Sequence, residues 1–220
     1  FSGYRIVCQA RGETVTASTP IVNDFSINGP NSNPAVVMNF VTLTGDYGTY
    51  EVKWTSGPDG RRYEATYRFN WSDVTTGGDT IPRSFTRTLG IRSTNTTNGG
   101  ELLSAAANGE DFFQGIGNLV PDDPTVIKRI FHGIDLLFAV ASDDFHTYLQ
   151  LGEPITGIVE DRPTFTNVTN GYGLFASRYF KQVIGKKLGD NSLNELLDGP
   201  YTGHLHFCSG YSSGPPYGCN

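Results

Sequence analysis

Residues 63–71 read Tyr63-Glu64-Ala65-Thr66-Tyr67-Arg68-Phe69-Asn70-Trp71, an alternation without a break. In an extended chain Tyr63, Ala65, Tyr67, Phe69 and Trp71 share one face, while Arg62, Glu64, Thr66, Arg68 and Asn70 share the other. A period of two over this span specifies a half-buried strand of an antiparallel sheet, apolar side inward and polar side toward water. Aromatic rings carry much of a core's buried area, so the stripe reads as a core face. The same rings in a row also match a sugar-stacking platform, with Tyr63, Tyr67 and Trp71 joined by Trp54.

The neighbouring segments extend the sheet. Ile81–Leu89 continues as a strand on one side. On the other, Ala35–Leu43 and Thr49–Thr55 read as strands joined by a Gly-Asp-Tyr-Gly turn at 45–48. Three short strands precede them, Tyr4–Gln9, Thr14–Ser18 and Ile21–Ile27, the first two forming a hairpin rich in β-branched residues. The polar run 28–34 reads as a linker, which divides the chain into an N-terminal hairpin region, 1–27, and a main domain, 28–220. Gly100 to Val120 changes character. Leu102, Leu103 and Ala106, then Phe112, Phe113 and Ile116, recur at helical spacing across Asn108-Gly109, which predicts two short helices or one broken helix.

Val126–Phe131 and Ile134–Ala141 return to strand, and Ser142-Asp143-Asp144 opens a short helix whose acids suit the helix dipole. The run Asp161 to Phe180 enters extended at Pro163 and turns at Asn170-Gly171, a pair that tolerates positive φ. Leu174–Leu188 reads as a long strand region, Ser192–Leu197 as a helix ended by Gly199-Pro200, and His204–Cys208 as a last strand. The fold class expected is mainly β with a few short helices, an antiparallel Ig-like β-sandwich or a related two-sheet architecture.

Composition agrees with that class. The 220 residues include 27 glycines and 12 prolines, and only 17% are charged, which favours many turns and short strands over long helices. A formal charge of −6 argues against a nucleic-acid partner, whose phosphates demand basic patches. No apolar run approaches the ~20 residues that span a bilayer. The chain begins at Phe1, almost inside a strand, and reads as a mature or partial chain.

Cys208 and Cys219 bracket a loop of low apolar content, and a Cys208–Cys219 disulfide would staple it, worth roughly 3 kcal/mol in the chain-entropy model. The alternative is two free thiols. Cys8, inside a strand, reads as a small buried hydrophobe or as the partner of an upstream cysteine. Together the cysteines indicate an oxidising, extracytoplasmic setting.

Groups able to carry chemistry are sparse. His204 and His206 would share one face of a strand and hold a metal if Asp143, Asp144 or His146 converged on them; the alternative is two solvent-facing histidines. Asp122, Asp123, Asp143 and Asp144 could form a carboxylate or Ca²⁺ site, but helix capping and turn chemistry account for them. Ser177-Arg178 lacks the glycine-flanked elbow of a serine hydrolase. The expectation is therefore no enzyme, no cofactor and no resident metal.

Four strings in order, Gly109-Glu-Asp-Phe-Phe113, Val120-Pro-Asp-Asp-Pro124, Asp143-Asp-Phe-His-Thr-Tyr-Leu149 and Arg162 to Arg178, resemble a family of uncharacterised Bacteroidota surface lipoproteins, many encoded beside TonB-dependent outer-membrane receptors. The resemblance is strongest from Glu101 to Arg178, and Tyr4 with 14–19 is similar to the family's first sheet. It implies an outer-membrane surface or secreted location, and a lipid anchor supplied by upstream sequence. It also implies a non-catalytic accessory role, docking onto an outer-membrane protein such as a TonB-dependent receptor. Asp79-Thr80-Ile81 resembles the short O-glycan sequon of these bacteria, which makes Thr80 a glycosylation candidate. Loops rich in Tyr, Asn and Gly offer Tyr172, Tyr211 and Tyr217 as contact residues, with Trp54 beside them. The alternative function is a secreted carbohydrate-binding module or glycan-active protein. The two readings differ in one structural respect: a sugar binder exposes its coplanar rings, whereas a docking protein buries them and exposes a flat patch.

Overall fold

The computed structural model describes residues 2–153, 164–211 and 218–219. In chain order its elements are β1 (Gly3–Ala10), β2 (Glu13–Pro20), β3 (Ser26–Gly29), β4 (Thr49–Thr55), β5 (Arg62–Thr75), β6 (Thr80–Ser93) and β7 (Leu102–Asn108). There follow α1 (Gly109–Leu119), β8 (Val126–Ala141), α2 (Asp143–Gly152), β9 (Val168–Thr169), β10 (Arg178–Lys186), α3 (Asp190–Asp198) and β11 (Phe207–Ser209). The protein is mainly β, with antiparallel sheets and short helices.

The principal sheet runs in the order β10-β8-β5-β6, with β11 added in parallel along β8. At its centre the expected alternation on β5 is observed: Tyr63, Ala65, Tyr67, Phe69 and Trp71 are buried, and the intervening residues through Asn70 are half-buried. A second sheet, β3-β4-β7, lies on the buried face. Trp54 of β4 meets Phe138 of β8 edge-on at 5.4 Å between ring centroids and Tyr63 at 6.2 Å. α1 closes the layer beside it, with Phe112 stacked on Phe40 at 4.0 Å. α3 contributes Leu193, Leu196 and Leu197 to the same core. The result is a two-sheet sandwich whose core is completed by residues of α1 and α3.

The third sheet, β1-β2-β9, starts from the N-terminal hairpin. Arg11 and Gly12 turn that hairpin at φ 53° and 83°. Two positive φ values give a two-residue loop the twist that matches its strands. β1 is exposed along both faces, so Cys8 is an exposed free thiol and not the buried small hydrophobe expected. The boundary drawn at residue 27 falls inside β3, which pairs with β4.

Several elements differ from their sequence reading. Leu102–Ala106 is not helical: it belongs to β7, paired with β4 from Leu102↔Thr55 to Asn108↔Thr49. Ala and Leu favour helix intrinsically, but pairing overrides propensity when alternate residues reach a core, here Leu103, Ala105 and Ala107. Asn108 does not interrupt a helix; its side chain caps α1, accepting the N–H groups of Glu110 at 2.8 Å and Asp111 at 3.2 Å.

Ala35–Leu43 forms no strand, only isolated bridges at Met38 and Val41. Its amides find scattered acceptors: Met38 N–H donates to Lys187 O, and Phe40 and Val41 N–H both donate to Ser192 Oγ. Ile21–Ile27 is strand only from Ser26. The two strands read at 126–131 and 134–141 are one strand, β8, irregular at Gly133. Gly133 has φ 126°, and a Cβ there would stand 3.0 Å from Lys186 O.

His204 and His206 do not share a strand face. A single 3₁₀ turn, 203–205, carries His204, and His206 follows it in the left-handed region at φ 56°. Both rings are exposed, with buried Leu205 between them.

Candidate interaction surface

Among the described residues, the outer face of the principal sheet is half-buried along β5 and at Leu137 and Ala139 of β8, and exposed along β10. On β5 it presents Arg62, Glu64, Thr66, Arg68 and Asn70; register places Ala139, Leu137 and Asp135 of β8 opposite Glu64, Thr66 and Arg68. β10 continues the rows with Phe180 opposite Ala139 and Gln182 opposite Leu137. Two large apolar side chains lie here in water, Phe180 at 65% exposed and Ile184 at 63%. Arg68, Leu137, Phe138, Phe180, Lys181 and Gln182 line a recess of about 460 Å³ in this face.

The polar centre of the face is a closed set. Asp135 accepts from Arg68 through Nη2 at 2.7 Å and Nε at 3.0 Å, and from Asn70 Nδ2 at 2.9 Å. Its other oxygen accepts Gly185 N–H at 2.7 Å. Burial pushes this carboxyl up, but the hydrogen bonds from Gly185, Arg68 and Asn70 outweigh it and hold the group below the usual carboxylate range. Such a carboxylate is anionic and fully engaged at neutral pH. It holds Arg68, Asn70 and the Gly185 amide in one arrangement.

One rim of the face carries an arginine between aromatic rings. Arg178, at the start of β10, lies between two rings, its guanidinium carbon 5.4 Å from the Phe145 centroid and 5.7 Å from that of Phe180. Phe145 belongs to α2, so this rib joins helix and sheet. Guanidinium over an aromatic face is a favourable pairing, and aromatic residues with arginine are the types enriched at the centres of protein interfaces. No local sequence pattern marks the rib, because Phe145 and Arg178 meet only through the pairing of β10 with β8.

The contact residues expected from sequence are scattered. Trp54 is wholly buried, so it is no binding residue; β4 points it into the core, where its ring fills the space against Tyr63 and Phe138. Tyr63, Tyr67 and Trp71 are buried with it. Tyr172 is 93% exposed just past the Asn170 turn, where φ is 58°. Tyr211 is half-buried: its ring packs on Phe131, and its hydroxyl accepts Leu188 N–H at 3.0 Å. Burial pushes its phenol up to about 12. Tyr217 lies outside the described residues. Thr80, the first residue of β6, is exposed after a turn closed by Thr75 and Asp79.

The expected staple is present: Cys208 and Cys219 are disulfide-bonded, with their Cα atoms 5.0 Å apart. Among the described residues no three His, Cys, Asp or Glu side chains converge as metal ligands. No helix among them is long and apolar enough to cross a membrane. Comparison of the chain with protein-family models, with curated proteins and with solved structures found no match.

Proposed function

We propose that the protein is a non-catalytic, extracytoplasmic binding module that docks onto an outer-membrane protein, such as a TonB-dependent receptor, through the outer face of its principal sheet. The observation that carries this reading is the Phe145–Arg178–Phe180 rib, with Ile184 exposed farther along β10. A sheet face with an aromatic and arginine rim beside a satisfied polar centre has the makeup of a protein interface. The disulfide supports an oxidising compartment. The resemblance to surface lipoproteins supplies the kind of partner. Burial of Trp54, Tyr63, Tyr67 and Trp71 removes the stacking set on which the carbohydrate-binding alternative rested.

The test is a parallel capture from detergent-solubilised membranes of the source organism, using the native chain and Phe180→Ser. The ring of Phe180 is exposed, so the variant should unfold within about 0.5 kcal/mol of the native chain. A stoichiometric outer-membrane barrel retained by the native chain and lost from the variant is the expected result. Capture of no membrane protein, or equal capture by both chains, overturns the docking reading. Sugar binding on a glycan array with no membrane partner would restore the alternative.

A further inference from the structure

Buried polar atoms in folded proteins nearly always have partners, so those that do not carry information. Among the described residues five buried side-chain nitrogen or oxygen atoms lack a hydrogen bond: Trp54 Nε1, Arg61 Nη1, Arg129 Nε, Ser142 Oγ and His146 Nδ1. Arg129 Nε has an ion-pair partner in Asp73 at 3.2 Å. Three of the others fall in one place.

Arg61 N–H donates to Ala141 O at 2.8 Å, which sets Arg61 beside the junction of β8 and α2. Its Nε pairs with Asp143 at 3.1 Å, on the first turn of α2. Ser142 is the N-cap of that ten-residue helix, yet its side chain makes no capping bond and the residue is wholly buried. His146 follows one turn on, with its N–H on Ser142 O at 2.9 Å and only 5% of its surface exposed. The unpartnered hydroxyl, imidazole nitrogen and guanidinium nitrogen thus gather at the N-terminus of α2.

We propose that Ser142 Oγ, His146 Nδ1 and Arg61 Nη1, with the first-turn amides of α2, form a binding site for one small anion of the halide class. All of these groups can donate. The first amides of a helix have no intrahelical acceptor, and the helix dipole favours negative charge there. The two acids of that turn are otherwise engaged, Asp143 by Arg61 and Asp144 by Asn167 Nδ2 at 2.8 Å. A water molecule in this shell could donate to Ser142 Oγ, to the other His146 tautomer or to the Asp143 carboxylate beside Arg61, so water is the competing occupant that the experiment must separate from a halide. The bound ion would tie α2, and with it Phe145, to the residue that precedes β5.

The charged groups that act on His146 are Arg61, Arg62, Asp143 and Glu153. Burial first, then the two arginines, hold its imidazolium below the ordinary range, and an adjacent anion reverses that effect.

The experiment has two arms. In bromide-soaked crystals an anomalous peak is expected in contact with all three side chains. In solution, NMR titration should place the His146 midpoint about one pH unit higher in sodium chloride than in sodium gluconate of equal ionic strength. Ser142→Ala should weaken the chloride response several-fold, whereas a site without an anion would leave that variant as stable or more stable in both salts, since only an unpaired hydroxyl is removed. A water peak in place of bromide, or an identical midpoint in the two salts, overturns the proposal. Bromide density without any change in solution marks an adventitious ion only and overturns it too.

Discussion

Phe69 and Phe180 stand on opposite faces of the same sheet, one completely buried and the other 65% exposed. Phe69 packs against five rings, closest to Phe131 at 4.7 Å and Phe85 at 5.4 Å. Phe180 has a guanidinium at its side and water beyond. The same side chain therefore contributes stability on one face and available contact area on the other. A purely structural sheet exposed on one side would present polar residues there. This one keeps two large apolar side chains in the open, and the docking proposal rests on that departure.

The largest effect belongs to the inner face. Phe69→Ala should cost about 4 kcal/mol in urea unfolding, the range for deleting a ring from a packed core. The loss should appear as a lower midpoint with little change in slope, because the same surface is exposed on unfolding. A cost below about 1 kcal/mol would mean that the aromatic layer is not the core it is taken for.

How far this contrast was legible in the sequence depends on the strand. In β5 one face is uniformly apolar and the other uniformly polar, so Tyr63 to Trp71 gave both the strand and its inward side. β8 read as two strands, 126–131 and 134–141, and its sides were not legible, because buried Leu136 and its half-buried neighbour Leu137 are both apolar. In β10 the alternation is present, but Phe180 and Ile184 occupy the exposed positions and Val183 and Lys186 the buried ones. Hydropathy alone does not separate those faces, and a register shift between Val183 and Lys186 breaks the period. Lys186 is inward because its Nζ donates to the carbonyls of Asn31 and Asn33, a long-range pairing with no local signature. The disulfide, the turn at Asn170, α2 and α3 were readable because each rests on residue spacing within a short stretch, although neither helix has a side-chain N-cap bond. The rib and the polar atoms below α2 were not, since each needs partners brought together by the sheet.

The second prediction compares two ion pairs across the sheet. On the inner side Arg129 is buried, its Nε on Asp73 and its other nitrogens on the carbonyls of Leu205 and Pro121, both at 2.6 Å. Asp73 also accepts Trp71 Nε1 at 2.8 Å and Arg83 Nε at 3.1 Å. Arg129→Ala leaves two carbonyls and part of a carboxylate unpaired in the interior. Breaking a buried pair from one side should cost about 3 kcal/mol, measured by the same unfolding experiment. If the variant lost less than about 1 kcal/mol, the end of the sheet would be held by something other than this network.

The outer pair, Asp135 with Arg68, should cost less and reveal itself through pH. The carboxyl of Asp135 is depressed in the folded chain, so it binds protons more weakly there than in the unfolded chain. Its contribution is therefore present above the unfolded carboxylate value of about 3.9 and is lost as pH falls through the lower folded value. Asp135→Asn keeps the shape but turns an amide toward the donors of Arg68 and Asn70. The variant should lose about 1.5–3 kcal/mol at pH 7, the range for hydrogen bonds to a charged group. The difference from the native chain should shrink steadily below pH 4. A difference that stayed constant between pH 7 and pH 2 would assign the loss to packing instead of charge. The polar centre of the outer face would then owe its order to the backbone bend at Gly185, and Arg68 would be free to meet a partner.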